Sequence, residues 1–287
     1  MEKAWDDLPE GGRIHVLGAW VVLDKILQQL HRTNQPPSRF MRFLYNTFLY
    51  LDVLSSLSSG EDPCSLRTIC SATSPPSSLD DTPSKSFSVH NEIDSLLGCA
   101  GDLFPLIARM SKVTNQLNRK HTPEAAIVYI DERTRVREKL RRWQPPDISI
   151  LKKSSDIHCS IDDIVRTAEI YRLTALLHLY RVCPPIEEDV DGFADQILDY
   201  LILIPKESGS LILHIWPLVA TGCEQFVPTK RALVLERFME VREKVNVANV
   251  HLAIILLQEV WRRNDAGDRN VGWVSLAREW GWHLLLG

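Results

Sequence analysis

Histidine, cysteine and acidic side chains could hold a metal or perform acid–base chemistry, but here they are scattered along the chain. A zinc enzyme needs ligands at helical or turn spacing, as in H-E-x-x-H or C-x-x-C, and neither pattern occurs. In a long chain without a secretory signal, cysteines are expected to be reduced thiols, mostly small apolar core residues. The sequence therefore predicts no metal, no cofactor and no disulfide framework. The six cysteines are Cys64, Cys70, Cys99, Cys159, Cys183 and Cys223.

Nucleophilic and phosphate-binding motifs are missing as well. An esterase-type nucleophile needs G-x-S-x-G, and a phosphate cradle needs a glycine-rich loop. The 13 glycines form neither pattern. His178 lies in the apolar run 175–180, which is typical of a buried core histidine and not of a ligand. No catalytic residue is predicted.

Tryptophan is the residue type that most suggests a binding site. There are 8 tryptophans. Large aromatic side chains serve either packing between helices or a pocket for a hydrophobic ligand. The pocket hypothesis names Trp216, Glu224 and Trp261 as its residues. The tryptophans of the C-terminal quarter are Trp216, Trp261, Trp273, Trp280 and Trp282.

A different class of function remains open, because fold does not settle function. A biosynthetic enzyme or small-molecule carrier could reuse a cavity between helices. Its polar groups would be Glu224, His214 and Glu259, each of which also fits a structural or surface role.

The charge balance argues against direct contact with nucleic acid. The formal net charge is −4 and the isoelectric point is near 6.1, whereas DNA binding usually requires a basic patch or stripe. The densest charge run, residues 131–142, mixes six basic with three acidic side chains. It fits a solvated helix face, a phosphate-binding face or a contact with a protein partner.

No membrane segment or leader is predicted. Acidic residues crowd the first ten positions, where a secretory signal would carry basic ones. The longest apolar stretch, residues 211–223, contains Pro217 and is shorter than the roughly 20 residues that span a bilayer. We expect a soluble protein.

Apolar residues recur with a helical period along most of the chain, and no segment alternates with the period of two that is typical of strands. This predicts an all-α protein, an antiparallel array of about nine to ten helices, forming a single domain over residues 1–287. Helices are predicted at 14–30, 39–56, 102–119, from 122, and at 161–182, 190–204, 210–226, 230–245, 247–264 and 272–285.

Local sequence signals predict one long loop and the starts of three helices. Residues 59–90 are rich in Ser, Thr and Pro and are predicted to be a disordered surface loop. Asp102 is a candidate helix N-cap, Thr122 precedes Pro123 at a helix start, and Ser160 with Asp163 forms a capping-box pattern.

Six blocks together resemble the fungal-specific transcription factor domain, the all-helical regulatory region that follows a zinc binuclear cluster. The most specific block is WPLVATGCE at 216–224, with Arg231 after it. Their order covers the chain from about residue 13 to its end. The other five are LYLDVLSSL at 49–57, IDSLLGCA at 93–100, WQPP at 143–146, ALLHLYR at 175–181 and LQEVWRR at 257–263, with Trp273 and Trp282 following.

The resemblance implies a transcription-regulatory protein or domain, located in the nucleus, with the cytoplasm as the alternative. It implies action through protein partners, such as a full-length zinc-cluster regulator, or through a small hydrophobic ligand. The family's zinc cluster needs two C-x2-C-x6-C halves, which this sequence lacks. Family members usually carry a linker and further helices before the position of Trp20, so the resemblance implies that Met1 lies inside the regulatory domain and that either an N-terminal part is missing or the domain acts alone.

Overall fold

A computed structural model describes residues 11–66, 93–119, 122–147, 149, 159–182, 191–245, 247–268 and 271–287. Within these ranges it contains ten α-helices and no strand, so the predicted all-α array is confirmed. The helices are α1 (Gly11–Thr33), α2 (Arg39–Ser59), α3 (Phe104–Leu117), α4 (Pro123–Arg142), α5 (Ile161–Val182), α6 (Asp191–Leu203), α7 (Ile215–Gly222), α8 (Pro228–Lys244), α9 (Ala248–Asp265) and α10 (Trp273–Glu279).

Two predicted helices are shorter than expected. The segment predicted at 210–226 divides into a 3-10 helix, Gly209–His214, and α7. The last helix, predicted to reach residue 285, ends at Glu279. Gly281 has φ +68, in the left-handed region that commonly ends a helix. The remaining C-terminal residues run without helical structure into the core, where Leu284 and Leu286 are buried.

Helix α2 and the turn after it show why a buried aspartate belongs in this fold. Ser38 caps α2 by accepting a hydrogen bond from the backbone N–H of Met41, at 3.2 Å. Farther along the helix, the buried carboxylate of Asp52 accepts the backbone N–H groups of Cys64 at 2.9 Å and Ser65 at 2.8 Å. Buried backbone donors need partners, and Asp52 supplies them where the chain turns back over α2.

The loop predicted at 59–90 is therefore ordered at its start. Helix α2 ends at Ser59, and Cys64–Leu66 form a 3-10 turn whose Cys64 is fully buried. Residues 67–90 lie outside the described residues, so for them the predicted disorder stays a prediction.

Of the three predicted helix starts, that at Thr122 and Pro123 agrees with α4, which begins at Pro123, and the other two have opposite outcomes. Ser160 accepts the backbone N–H of Asp163 at 3.0 Å, as predicted for the start of α5. Asp102 does not cap α3, whose N-cap residue is Leu103. Instead, an oxygen of Asp102 accepts the indole N–H of Trp143 at 3.0 Å, because the chain returns to this point after α4.

Helix α5 lies at the centre of the array and packs against α3, α4, α6 and α7. Fourteen of its residues between Asp163 and Tyr180 are buried. A helix with so many buried positions is stable only when neighbours surround it. These four helices cover α5 within one continuous hydrophobic core.

None of the helices among the described residues is long and apolar enough to cross a bilayer.

Candidate functional site: the aromatic chain and the Gly222 junction

A line of ring contacts runs through the core and joins five helices. The rings of Tyr50 and Phe104 have centroids 5.7 Å apart, and those of Phe104 and Tyr171 are 5.2 Å apart. Trp216 continues the line, 5.6 Å from Tyr171. Separations of 4.5–7 Å are those at which aromatic pairs attract. We call this set the aromatic chain; its members are Tyr50, Phe104, Tyr171, Trp216, His178 and Trp273.

The aromatic chain carries polar atoms whose hydrogen bonding is incomplete. The hydroxyl of Tyr171 donates to the carbonyl of Leu213 at 2.7 Å. By contrast, the indole N–H of Trp216 is buried and finds no hydrogen-bond partner among the described residues, while the hydroxyl of Tyr50 interacts with that of Tyr171. An unpaired buried polar group costs about 1–3 kcal/mol. The indole N–H of Trp216 is therefore able to form a further hydrogen bond.

His214 extends this polar region. Its Nε2 lies 3.1 Å from the hydroxyl of Thr167, while its Nδ1 is buried and unpartnered within the described part of the chain. Burial lowers the pKa of His214 to about 3, with a smaller contribution from the charge of Arg237. Burial likewise lowers the pKa of His178 to about 4, assisted by Arg278. Both imidazoles are neutral at physiological pH.

A small cavity borders the aromatic chain. Its volume is about 10 Å³, which is near the minimum for one water molecule and far below the roughly 300–1,000 Å³ of ligand pockets. Trp216, Glu224 and Trp261 do not line it. Its lining comes from Tyr50, Leu96, Leu97, Ala100, Phe104, Thr167, Ala168, Tyr171 and Leu213.

A second arrangement, the Gly222 junction, locks α7 to α8 and α9. A Cβ atom at Gly222 would lie 2.8 Å from Leu257 and 3.1 Å from Val234. Only glycine permits this close approach. The indole N–H of Trp261 donates to the carbonyl of Gly222 at 2.8 Å, which satisfies a carbonyl at the end of α7.

Arg231 completes the Gly222 junction. Its guanidinium makes two hydrogen bonds to Asp265, at 2.7 and 2.8 Å, and a third to the carbonyl of Gln225 at 2.8 Å. It also lies 5.2 Å from the ring centroid of Trp261, within range of a cation–π contact. The paired, planar guanidinium thus ties α8 to α9.

The polar residues proposed for catalysis do not converge. Glu224 forms an ion pair with Arg181, and His214 lies in the core. Hydrogen bonds from Arg262 and Arg263 hold the pKa of Glu259 down to about 2. No group of three or more metal-ligating side chains occurs within the described ranges. Of the predicted pocket residues, Trp216 lies in the aromatic chain, Trp261 lies in the Gly222 junction, and Glu224 pairs with Arg181 with only 6% of its own side chain exposed.

Ion pairs within the helix connect charged residues of α4. Arg142 lies 3.5 Å from Glu138, and Arg135 lies 3.9 Å from Glu132. On the opposite face, Val136 is buried in the core. This arrangement agrees with a solvated helix face.

Sequence reasoning missed the structural aspartates. Asp94 accepts the backbone N–H groups of Leu96 and Leu97, both at 2.8 Å, and a side-chain N–H of Asn46 at 2.9 Å. Gly98, with φ +59, closes the same turn against Ile164. Asp94 is the local signal that could have predicted this Asx-type turn, because aspartate side chains often accept the backbone N–H two residues later.

Comparisons with known proteins identify what this chain is similar to. A family model described as "Fungal specific transcription factor domain" matches residues 4–287. The acriflavine sensitivity control protein acr-2 of Neurospora crassa is 30% identical over 126 residues, which cover 39% of this chain and 21% of that protein. The chain thus matches about a fifth of that relative's length. No solved structure matches.

Replacing either core tryptophan should destabilise the protein. We expect Trp216→Ala and Trp261→Ala each to lower the free energy of unfolding by about 3–5 kcal/mol, since truncation of a buried Trp leaves a large cavity. Urea unfolding measures this, with Phe226→Ala as the control because Phe226 is 47% exposed. Near-normal stability of both tryptophan variants would contradict a packing role.

Acidification should destabilise the folded state before the carboxylates titrate. The pKa values of His178 and His214 lie near 4 and 3 in the folded protein and at about 6.5 when unfolded. Between pH 6.5 and pH 5, these two histidines therefore bind protons in the unfolded chain but not in the folded chain. Above pH 6.5, the two histidines do not lower the free energy of unfolding. As the pH falls below 6.5, the free energy of unfolding decreases by up to about 2.7 kcal/mol per pH unit for the two groups together.

Urea unfolding at pH 7, 6 and 5 checks this dependence. His178→Gln should reduce the slope by about half, since one of two titrating groups is gone. The exposed His283→Gln serves as the control and should leave the slope unchanged. An unchanged slope in the His178 variant would contradict the assignment of this pH dependence to His178.

Proposed function

Because the chain belongs to the fungal specific transcription factor domain family, we propose that it regulates transcription through protein contacts and not by touching DNA itself. The observation that supports this proposal is that residues of the family-like blocks make structural contacts. Asp52, Asp94 and Gly222 close turns and a helix junction. A scaffold of this kind can present a surface to partners, and its residues need no catalytic role.

Charge supports the same proposal. Duplex DNA binding depends on several lysines or arginines that displace counterions from phosphates. Here the net charge is −4, and arginines of the densest basic run pair with glutamates on their own helix. A full-length zinc-cluster regulator is the partner we propose, since such a protein would supply the contact with DNA. The site of action would be the nucleus.

Small-molecule sensing is a second candidate. Its support is the unpartnered indole N–H of Trp216 in the aromatic chain. A planar aromatic ligand would stack on the neighbouring rings, and a hydrogen-bond acceptor on it would satisfy the indole. Because the adjacent cavity is only about 10 Å³, such a ligand requires the core to open. Binding would then shift the balance between a closed and an open state.

The enzyme alternative has less support. Its three candidate groups, Glu224, His214 and Glu259, are held apart in an ion pair, the core and an arginine cluster. Acid–base catalysis requires such groups to reach one substrate together.

A tethering experiment tests the regulatory proposal. The chain is expressed in a fungal reporter strain, either alone or fused to an unrelated DNA-binding module whose operator controls the reporter. We expect the fusion to change reporter transcription relative to the module alone, and the untethered chain to leave it unchanged. A fusion that is silent while properly folded and nuclear would contradict regulation. Sequence-selective binding of duplex DNA by the untethered chain would contradict the indirect mode.

Acriflavine is a suitable probe for ligand sensing, since the relative in Neurospora crassa carries that compound in its name and the dye is planar and aromatic. We expect it to raise the thermal unfolding midpoint of the chain, because a ligand of the folded state stabilises it. Trp216→Phe keeps an aromatic ring but offers a smaller stacking surface, and should reduce the shift. No shift at saturating dye would contradict sensing of planar aromatic cations of this kind.

A further inference from the structure

We infer that the contact between α8 and the 3-10 helix Gly209–His214 is a binding site for a small organic carboxylate, held by the guanidinium of Arg237 with His214 beside it. We call this place the Arg237 site. Its ligand class differs from the planar aromatic compounds proposed above, and the inference stands apart from the regulatory proposal.

Arg237 is a buried arginine whose guanidinium is only partly paired. Its side chain is 8% exposed, and its Nη1 donates to Glu240 at 2.5 Å. The other two nitrogens, Nε and Nη2, are buried and have no hydrogen-bond partner within the described part of the chain. Burial of a charged group is costly unless its hydrogen bonds are made. The Nε–Nη2 edge therefore lacks an acceptor, which a bound anion would supply.

The neighbouring carboxylates of α8 do not fill this edge. Burial lowers the pKa of Arg237, while the negative charges of Glu240 and Glu236 act in the opposite direction. Glu240 accepts only the Nη1 hydrogen bond, and Glu236 is exposed on the helix surface. The missing acceptor is thus a matter of geometry, because negative charge is close by but reaches neither Nε nor Nη2.

The shape of the unpaired edge selects the ligand class. Nε and Nη2 of a guanidinium present two parallel N–H groups in one plane, which match the two oxygens of a carboxylate. A phosphate accepts the same pair of hydrogen bonds but carries more negative charge. Its transfer from water into a buried site therefore costs more. We expect a carboxylate with a small body, since the site is enclosed.

His214 provides a third polar atom in the same buried region. It is fully buried, on the 3-10 helix that packs against α8. Burial lowers the pKa of His214, and the charge of Arg237 lowers it further. When the Thr167 hydroxyl donates to Nε2, 3.1 Å away, the neutral ring carries its proton on Nδ1. Nδ1 has no partner among the described residues, so it is available as a donor to the same anion.

The segment that covers the Arg237 site is suited to move. Hydrogen bonds of a 3-10 helix have poorer geometry than those of an α-helix. The start of this 3-10 helix is tied to α8 by the exposed Lys244, whose Nζ donates to the carbonyls of Glu207 at 2.8 Å and Ser208 at 2.6 Å. Breaking these two hydrogen bonds frees the covering segment, which gives a ligand of a few atoms a way in.

Thermal unfolding in sodium acetate at pH 7 tests the inference, with sodium chloride keeping the ionic strength constant. A ligand of the folded state raises the unfolding midpoint once its concentration exceeds its Kd. Because acetate is very small, we expect weak binding with a Kd of about 1 mM. At about a hundredfold higher acetate concentration, the midpoint should lie about 5 °C above its value in chloride alone.

Three variants assign the effect to the paired edge. Arg237→Met removes the guanidinium and should abolish the saturable shift. Arg237→Lys keeps the charge but loses the two parallel N–H groups, so the Kd for acetate should rise by about tenfold or more. Arg172→Met is the matched control. The side chain of Arg172 is 15% exposed, and all three of its nitrogens are paired, with Glu169 and with the carbonyl of Leu140. Its loss should leave the acetate response unchanged.

The wild-type titration decides the inference even if a variant folds poorly. A midpoint that rises no more in acetate than in chloride would overturn it. Equal acetate affinity of Arg237→Lys and the wild type would exclude the paired edge as the binding group. A larger saturable shift in phosphate than in acetate would refute the carboxylate class. None of these results changes the outcome of the reporter experiment or of the acriflavine titration, so the proposals fail separately.

Discussion

The burial of α5 on nearly every side is the constraint on which the rest of the structure depends. A helix with buried residues from Asp163 to Tyr180 cannot exist in water without neighbours around it. Helices α3, α4, α6 and α7 provide them. Because these helices come from distant parts of the chain, the turns between them must bring them back to α5, and the polar residues of those turns become as necessary as the core itself.

This constraint explains why the blocks shared with the family contain so many structural hydrogen bonds. Asp52 and Asp94 pair with backbone N–H groups that close turns, and Trp143 reaches back to Asp102. At the other end of the array, Gly222 and Trp261 hold α7 against α9. These contacts hold the helices that enclose α5.

The core is not optimised for stability alone. Two neutral histidines and the unpartnered indole N–H of Trp216 lie within or beside the aromatic chain. Each carries a cost that a purely apolar core would avoid.

Local pattern determined much of this protein from sequence alone. The helices, the all-α class and the cap at Ser160 follow from spacings of a few residues, which the sequence displays directly. The tertiary structure decided which partner Asp102 takes and why position 222 must be glycine. These contacts join residues far apart, 41 positions for Trp143 with Asp102 and 39 for Trp261 with Gly222. The tertiary structure likewise decided that Trp216, Glu224 and Trp261 lie in separate contacts, since residue type says nothing about which helix each side chain will meet.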